Sequence, residues 1–258
     1  MREAILDQLQ QIEAREEVRI LFAIESGSRA WGFPSPDSDY DARFVYVRKR
    51  DWYLSLEPGR DVIALPIEGD LDINGWDLKK ALSLLLKPNP VLLEWLSSPI
   101  RYVWDEQACA KLLAFAEDVT HGPACLHHYL NLGEGLWRRH IAANSEVNLK
   151  KYFYIVRPAM ALRWIRKNPD TMPPMNFQAL LAGVGVDKTL TAELEALLIA
   201  KREAKEIGLA PRVPVIDEFV EAEFDWAREA GKTLKADRKP LRPRADALFR
   251  ELIEMRPL

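Results

Sequence analysis

The chain has 258 residues, 48% of them hydrophobic and 29% charged, an ordinary globular composition long enough for one large domain or two smaller ones. A net charge of −3 does not advertise a nucleic-acid binder, although 36 Lys and Arg leave room for local phosphate-binding patches. The two cysteines, Cys109 and Cys125, have no CxxC spacing, which argues against a zinc site or a disulfide framework and for two reduced core thiols.

The N-terminus, MREAILDQLQQIEAREEV, is charged and has no apolar stretch of the signal-peptide kind. No run approaches the ~20 apolar residues that span a bilayer, so the expectation is a soluble cytoplasmic protein. Ile5, Leu9 and Ile12 recur at helical spacing and open the chain with a helix. Val18 to Ile24 is a continuous apolar run that fits a buried strand. A turn-rich segment, Glu25 to Ser38, holds Gly27, Gly32, Pro34 and Pro36. Asp39 to Val47 alternates and then runs apolar, as a strand does. Asp61 to Leu65 and Asp70 to Ile73 read as two further strands about a turn at Glu68-Gly69.

Asp77 to Leu86 reads as a helix stopped by Pro88-Asn89-Pro90. A short helix over Leu92 to Leu96 and a strand over Ile100 to Trp104 close this half. Beyond Asp105 the period is helical, with candidate helices at 106–119, 123–144, 148–168, 187–207, 214–230 and 243–255. The predicted fold class is α+β: a domain with a small mixed sheet over 1–105, followed by an all-α domain over 106–258. Lys232 to Arg244 is rich in Lys, Arg and Pro and reads as a solvated connector.

The chemistry concentrates in Ser26-Gly27-Ser28-Arg29 and the Asp39-Tyr40-Asp41 that follows a short spacer. A small residue after a strand lets backbone N–H groups approach a phosphate, and the Ser28 hydroxyl is a further donor. Asp39 and Asp41, two apart on a strand, point to one face. Their repulsion is relieved by a divalent cation, and hard oxygen ligands suit Mg²⁺ or Mn²⁺. Asp70 and Asp72 form a second i, i+2 pair, and either one can complete a three-carboxylate cup. Such a cup holds two metals roughly 3.5–4 Å apart, the geometry of in-line nucleotidyl transfer.

Strand, Gly-Ser, spacer and Asp-x-Asp entering an apolar strand resemble the signature of the DNA polymerase β-like nucleotidyltransferases over residues 18–47. Leu71-Asp72-Ile73-Asn74-Gly75-Trp76-Asp77, Asn89-Pro90, Glu94-Trp95-Leu96, Ser98-Pro99-Ile100 and Lys150-Lys151-Tyr152-Phe153-Tyr154 with Arg157-Pro158 extend the likeness over most of the chain. They resemble a bacterial and phage subfamily of nucleotidyltransferases proposed to act in RNA repair. The resemblance implies a catalytic domain and a helical substrate-side domain. It does not fix the acceptor; the reaction expected is transfer of a nucleoside monophosphate from a nucleoside triphosphate to a hydroxyl, an RNA end being one candidate. It also implies Asp72 as the third catalytic and metal-binding carboxylate beside Asp39 and Asp41 and favours Lys151 on the nucleotide, where the residues themselves place Gly27 and Ser28 and allow Arg29.

Rival readings stand beside these. Nucleotidylation of a protein or a small molecule, or a non-catalytic nucleotide-binding module on the same fold, would use the same motif. Asp37, Asp39 and Asp41 spell the start of a calcium loop, but Ala42 and Arg48 occupy the places of its glycine and glutamate. Arg29 reads either as a triphosphate contact or as cover for the sheet edge. Trp31 and Phe33 read as packing on their own domain before base stacking. Lys150, Lys151 and Arg157 read either as phosphate ligands or as a solvated basic face, with Tyr152 and Tyr154 in the core. Gly183 to Thr189 lacks the spacing of a phosphate-binding loop and reads as a loop and helix cap.

Overall fold

The computed structural model describes residues 1–57, 59–87, 89–119, 122–203, 208–233 and 241–255, with side chains at 122–124, 150 and 203 left aside. In chain order the elements are α1 (Arg2–Glu16), β1 (Val18–Glu25), α2 (Gly27–Ala30), β2 (Tyr40–Arg48), α3 (Arg50–Tyr53), β3 (Val62–Ala64), β4 (Leu71–Asp77), α4 (Leu78–Leu85), α5 (Val91–Leu96), β5 (Arg101–Trp104) and α6 (Glu106–Ala116). They continue with α7 (Gly122–His140), β6 (Glu146–Asn148), α8 (Leu149–Lys167), α9 (Phe177–Val184), α10 (Lys188–Glu203), β7 (Leu209–Pro211), α11 (Pro214–Thr233) and α12 (Arg242–Glu254).

The chain forms two compact units. One comprises Met1–Gly27, Asp39–Val119 and Arg238–Leu258, the other Ser28–Ser38 and Thr120–Asp237. These limits differ from a single boundary at 105: α6 and α12 pack with the sheet, and the segment after Gly27 packs with the helices. Of the connector expected at Lys232 to Arg244, residues 234–240 lie outside the described residues, as do 204–207 of the helix expected over 187–207.

In the first unit, a five-stranded mixed sheet runs β3-β4-β2-β1-β5. β1 is antiparallel to β2 and β5, β3 is antiparallel to β4, and β2 and β4 are parallel. The apolar run of β1 follows from its central place, since a strand with neighbours on both sides and cover on both faces needs no polar alternation. Ile5, Leu9 and Ile12 of α1 share one cluster with Ala42, Phe44 and Tyr46 of β2 and Ile73 of β4. The even-numbered residues of β2 thus face α1. Asp41, Arg43, Val45 and Val47 line the opposite face, because successive side chains alternate.

Gly75 pairs with Phe44 across the two parallel strands, and a Cβ there would lie 2.1 Å from the Phe44 ring. A glycine mid-strand is the space that the ring needs. α12 contacts β2, α4 and α6. It is tied down by Tyr53–Phe249 ring contact at 4.9 Å, by Arg19 Nη2 donating to Leu252 O at 2.9 Å and by Lys111–Glu251 at 2.8 Å.

The second unit is helical around α7, α8 and α11, with one two-stranded antiparallel pair, β6–β7. That pair and α9 correct the reading of the latter half as helices at six places. Strands of three residues carry too little alternation to see, and α9 lies between prolines and glycines that read as breakers. Gly185 closes α9 at φ 58°, and the Asp187 carboxylate accepts from Leu190 N at 2.9 Å to cap α10, so Gly183 to Thr189 is a loop and cap. Phe33 is wholly buried in this unit, stacked on Phe153 at 5.3 Å, edge-on to Phe177, with Lys201 Nζ 4.3 Å from its ring centre. Gln178 Nε2 donates to Gly32 O at 2.7 Å, and Phe177 N donates to Trp31 O at 2.8 Å. The segment carrying Trp31 and Phe33 is therefore part of the helical core. Tyr152 is also fully buried, donating to Asp217 at 2.9 Å and accepting from Val213 N.

Both cysteines are buried and unbridged. Among the described residues, no helix is long and apolar enough to cross a membrane.

Candidate active site

The parallel register of β2 and β4 sets Asp41 directly beside Asp72. Both are about a third exposed, at 29% and 32% of their side chains. Between them lies Arg43, which shares their face of β2 because it is two residues beyond Asp41. Its Nη2 donates to Asp41 Oδ1 at 3.1 Å and to Asp72 Oδ2 at 2.6 Å. Its Nη1 donates to the carbonyls of Asp72 at 2.9 Å and Ala42 at 3.0 Å, so the guanidinium is tied to both strands. Burial pushes the Asp41 carboxyl above the ordinary aspartate range. Arg43 opposes that shift, while Asp72 and Asp39 add to it. Asp39 is exposed, immediately ahead of β2. Asp70 sits exposed in the turn before β4, its carbonyl accepting from Tyr40 N at 2.6 Å. Of that pair, Asp72 is the one on the strand facing Asp41.

The end of β1 is built to hold this face. Glu25 is 1% exposed, and its carboxylate accepts from Asp41 N at 2.7 Å and from the Tyr102 hydroxyl. Ser26 N donates to Asp41 O at 2.8 Å. Gly27 then turns the chain at φ 60°, in the left-handed region that glycine adopts without steric cost. A Cβ there would lie 1.9 Å from Asp41 Oδ2, so the glycine backbone backs directly onto that carboxylate. α2, which begins here, is a single turn of four residues, too short to gather a strong dipole.

Ser28, Arg29 and Lys151 belong to the second unit. The Ser28 hydroxyl is buried and lies 3.0 Å from Ser38 Oγ. Ser38 Oγ also accepts from Ser35 N at 2.8 Å and pairs with Ser35 Oγ at 3.0 Å. One hydroxyl proton and two lone pairs close this triad internally. Arg29 Nη2 donates to Ser38 O at 2.6 Å and braces the same loop. Lys151 is half-buried, 5.9 Å over the Tyr154 ring, and its charge, with that of Arg139, adds to the burial that lowers the pKa of His140.

Two residues of this site, Arg43 and Glu25, escape a reading by motif. For Arg43 the signal was present: Asp39, Asp41 and Arg43 follow one another at period two, so the cation had to share the acids' face. Glu25 ends an apolar run, where a carboxylate reads as the start of a turn, and its tertiary partners Asp41 N and Tyr102 accompany its burial.

The residues suit a divalent cation in chemistry: hard carboxylate oxygens from Asp39, Asp41 and Asp72, with Asp41 carrying a burial penalty that added positive charge would relieve. As the side chains stand, no three Asp, Glu, His or Cys among the described residues converge into a ready-made metal cluster. Arg43 meets the charge of two of them instead.

The chain is 43% identical over 254 residues to "Uncharacterized protein YcgL" of Bacillus subtilis (strain 168), covering 98% of this chain and 97% of that one. Residues 1–251 match the model of a family described as "RNA repair pathway DNA polymerase beta family", RlaP. The chain belongs to that family, and its membership points to a nucleotidyltransferase of the polymerase β-like kind.

Proposed function

We propose that the protein is a metal-dependent nucleotidyltransferase that moves a nucleoside monophosphate from a nucleoside triphosphate to a hydroxyl acceptor, an RNA end first among them, and releases pyrophosphate. One observation carries the reading. Asp41 and Asp72 are register partners on one sheet face, each about a third exposed, and the glycine turn of a Gly-Ser motif backs onto the Asp41 carboxylate. The family description supports the RNA end as acceptor.

Asp39, Asp41 and Asp72 would hold Mg²⁺ or Mn²⁺. The cation would supply neutralisation of the triphosphate and a lowered pKa of the acceptor hydroxyl. The chain's own residues do the rest. Glu25 and Ser26 fix the backbone of Asp41 so that its carboxylate keeps one orientation. Asp72 takes the acceptor's proton as its oxygen bonds the α-phosphorus and the α–β bridging bond breaks. The backbone N–H of Gly27, with Ser28, Arg29 and Lys151, binds the triphosphate. The Ser28 hydroxyl exchanges its bond to Ser38 for one to a phosphate oxygen. The sheet-bearing unit is the catalytic part and the helical unit the substrate side.

The test is transfer from each of four α-labelled nucleoside triphosphates, with Mg²⁺ or Mn²⁺, to RNA, protein and small-molecule acceptors, with Asp41→Ala as control. Label on RNA that the control loses is the expected result. Label on protein alone would move the acceptor class. Binding of nucleotide with no transfer to any acceptor would leave a binding module and end the proposal.

A further inference from the structure

We infer that Arg43 is the built-in counter-cation of the carboxylate face, and that it competes with a divalent cation for Asp41 and Asp72. This rests on the metal-dependent reading above. A single nitrogen, Nη2, takes one oxygen of each carboxylate, Asp41 Oδ1 and Asp72 Oδ2. Those are oxygens that the two aspartates would offer a divalent ion, and the guanidinium already holds them. Two cations at that point repel, so an ion and Nη2 exclude each other there.

The rest of the guanidinium has its own anchorage. Nη1 holds the carbonyls of Ala42 and Asp72, one on each strand. Arg43 is thereby kept beside the acids whether or not Nη2 is engaged, as a planar group with five donors allows and an ammonium does not. With the guanidinium in place, the acids keep their spacing without metal. The cost is weaker binding of the first divalent ion. Arg43 is a positioning residue in this account: it acts through Asp41 and Asp72 and reaches the reaction through them.

The experiment is a titration of the full chain with Mn²⁺ alone, without nucleotide, followed by the paramagnetic resonance of free Mn²⁺. Thermal unfolding in chelator and in Mn²⁺ is measured in parallel. Arg43→Gln is expected to bind Mn²⁺ about tenfold more tightly than the unaltered chain, the scale of one competing charge removed at close range. In chelator it should melt below the unaltered chain, and Mn²⁺ should raise its melting point more. Arg43→Lys, which keeps the charge without the fork, should bind between the two, and it carries the test if Arg43→Gln does not fold.

Equal or weaker Mn²⁺ binding in a folded Arg43 variant overturns the inference. If Asp41→Asn abolishes Mn²⁺ binding while Arg43 variants leave it unchanged, the counter-cation role alone is wrong. If the unaltered chain and every variant ignore Mn²⁺, the metal-dependent reading fails and this inference with it.

Discussion

The serine-rich segment 28–38 runs in sequence into β2, which with β4 carries the carboxylate face, yet segment and face are stabilised in opposite ways. On the sheet, like charges are held together against repulsion and partial burial, and an internal arginine offsets the cost. In the segment, every polar contact of the serine triad is satisfied at home, and an aromatic plug fixes the whole loop. A charged surface held under tension is disposed to take up a cation. A neutral loop closed on itself holds its shape without one.

The largest test of that contrast is Asp41→Ala. It should lower nucleotidyl transfer by about a thousandfold or more, since metal-borne charge stabilisation is worth several kcal/mol. It should leave the melting point in chelator unchanged or raised, because a strained carboxylate is gone. A variant that melts early would show the acid to be structural and erase the contrast. Next is Phe33→Ala, which should destabilise the helical unit by about 3–5 kcal/mol, the cost of truncating a buried aromatic, read by urea unfolding. A loss under about 1 kcal/mol would mean that the loop is held by its polar contacts instead.

Gly27→Ala should cost about 1–2 kcal/mol from the left-handed backbone alone. It should also lower activity about a hundredfold by pushing Asp41 aside, a displacement of the size that matters in aligned sites. Unchanged kinetics would separate the turn from the carboxylate.

A smaller effect concerns pH. The Asp41 pKa is raised, so without metal its contribution to stability is greatest in acid and fades as pH climbs through the ordinary aspartate value to the raised one. Mn²⁺ affinity should show the reverse trend, falling as pH drops through that range, because the ligand must be ionised. Asp41→Asn should flatten the stability slope, measured by melting in chelator across acid pH. The smallest effect is on the thiols. Burial pushes Cys109 up to about 12, and native protein should give no prompt reaction with a disulfide reagent at mildly alkaline pH.

How legible each region was differs for the same reason. β1 and β2 showed themselves because buried central strands are long and apolar, and the pairs Asp39/Asp41 and Asp70/Asp72 stood out because acids at period two interrupt that pattern. Gly27 was readable as a turn, but its contact with Asp41 is tertiary. Segment 28–38 was misleading. Its glycine and prolines read as a loop of the sheet domain, while Trp31 and Phe33 commit it to a core built more than a hundred residues later. The Ser28 hydroxyl was expected to point at a phosphate, and nothing local forecast Ser38 as its partner. Arg43 was overlooked because a lone cation in a strand carries no motif, even though its spacing placed it.

α12 joins the sheet-bearing unit only after the helical unit has been traversed. During synthesis on the ribosome, the apolar surface that Leu248 and Leu252 bury must therefore wait, uncovered, until α12 itself emerges. The nascent sheet is sealed late, and a chain stalled within the helical unit would present a sticky intermediate to whatever chaperone or protease is at hand.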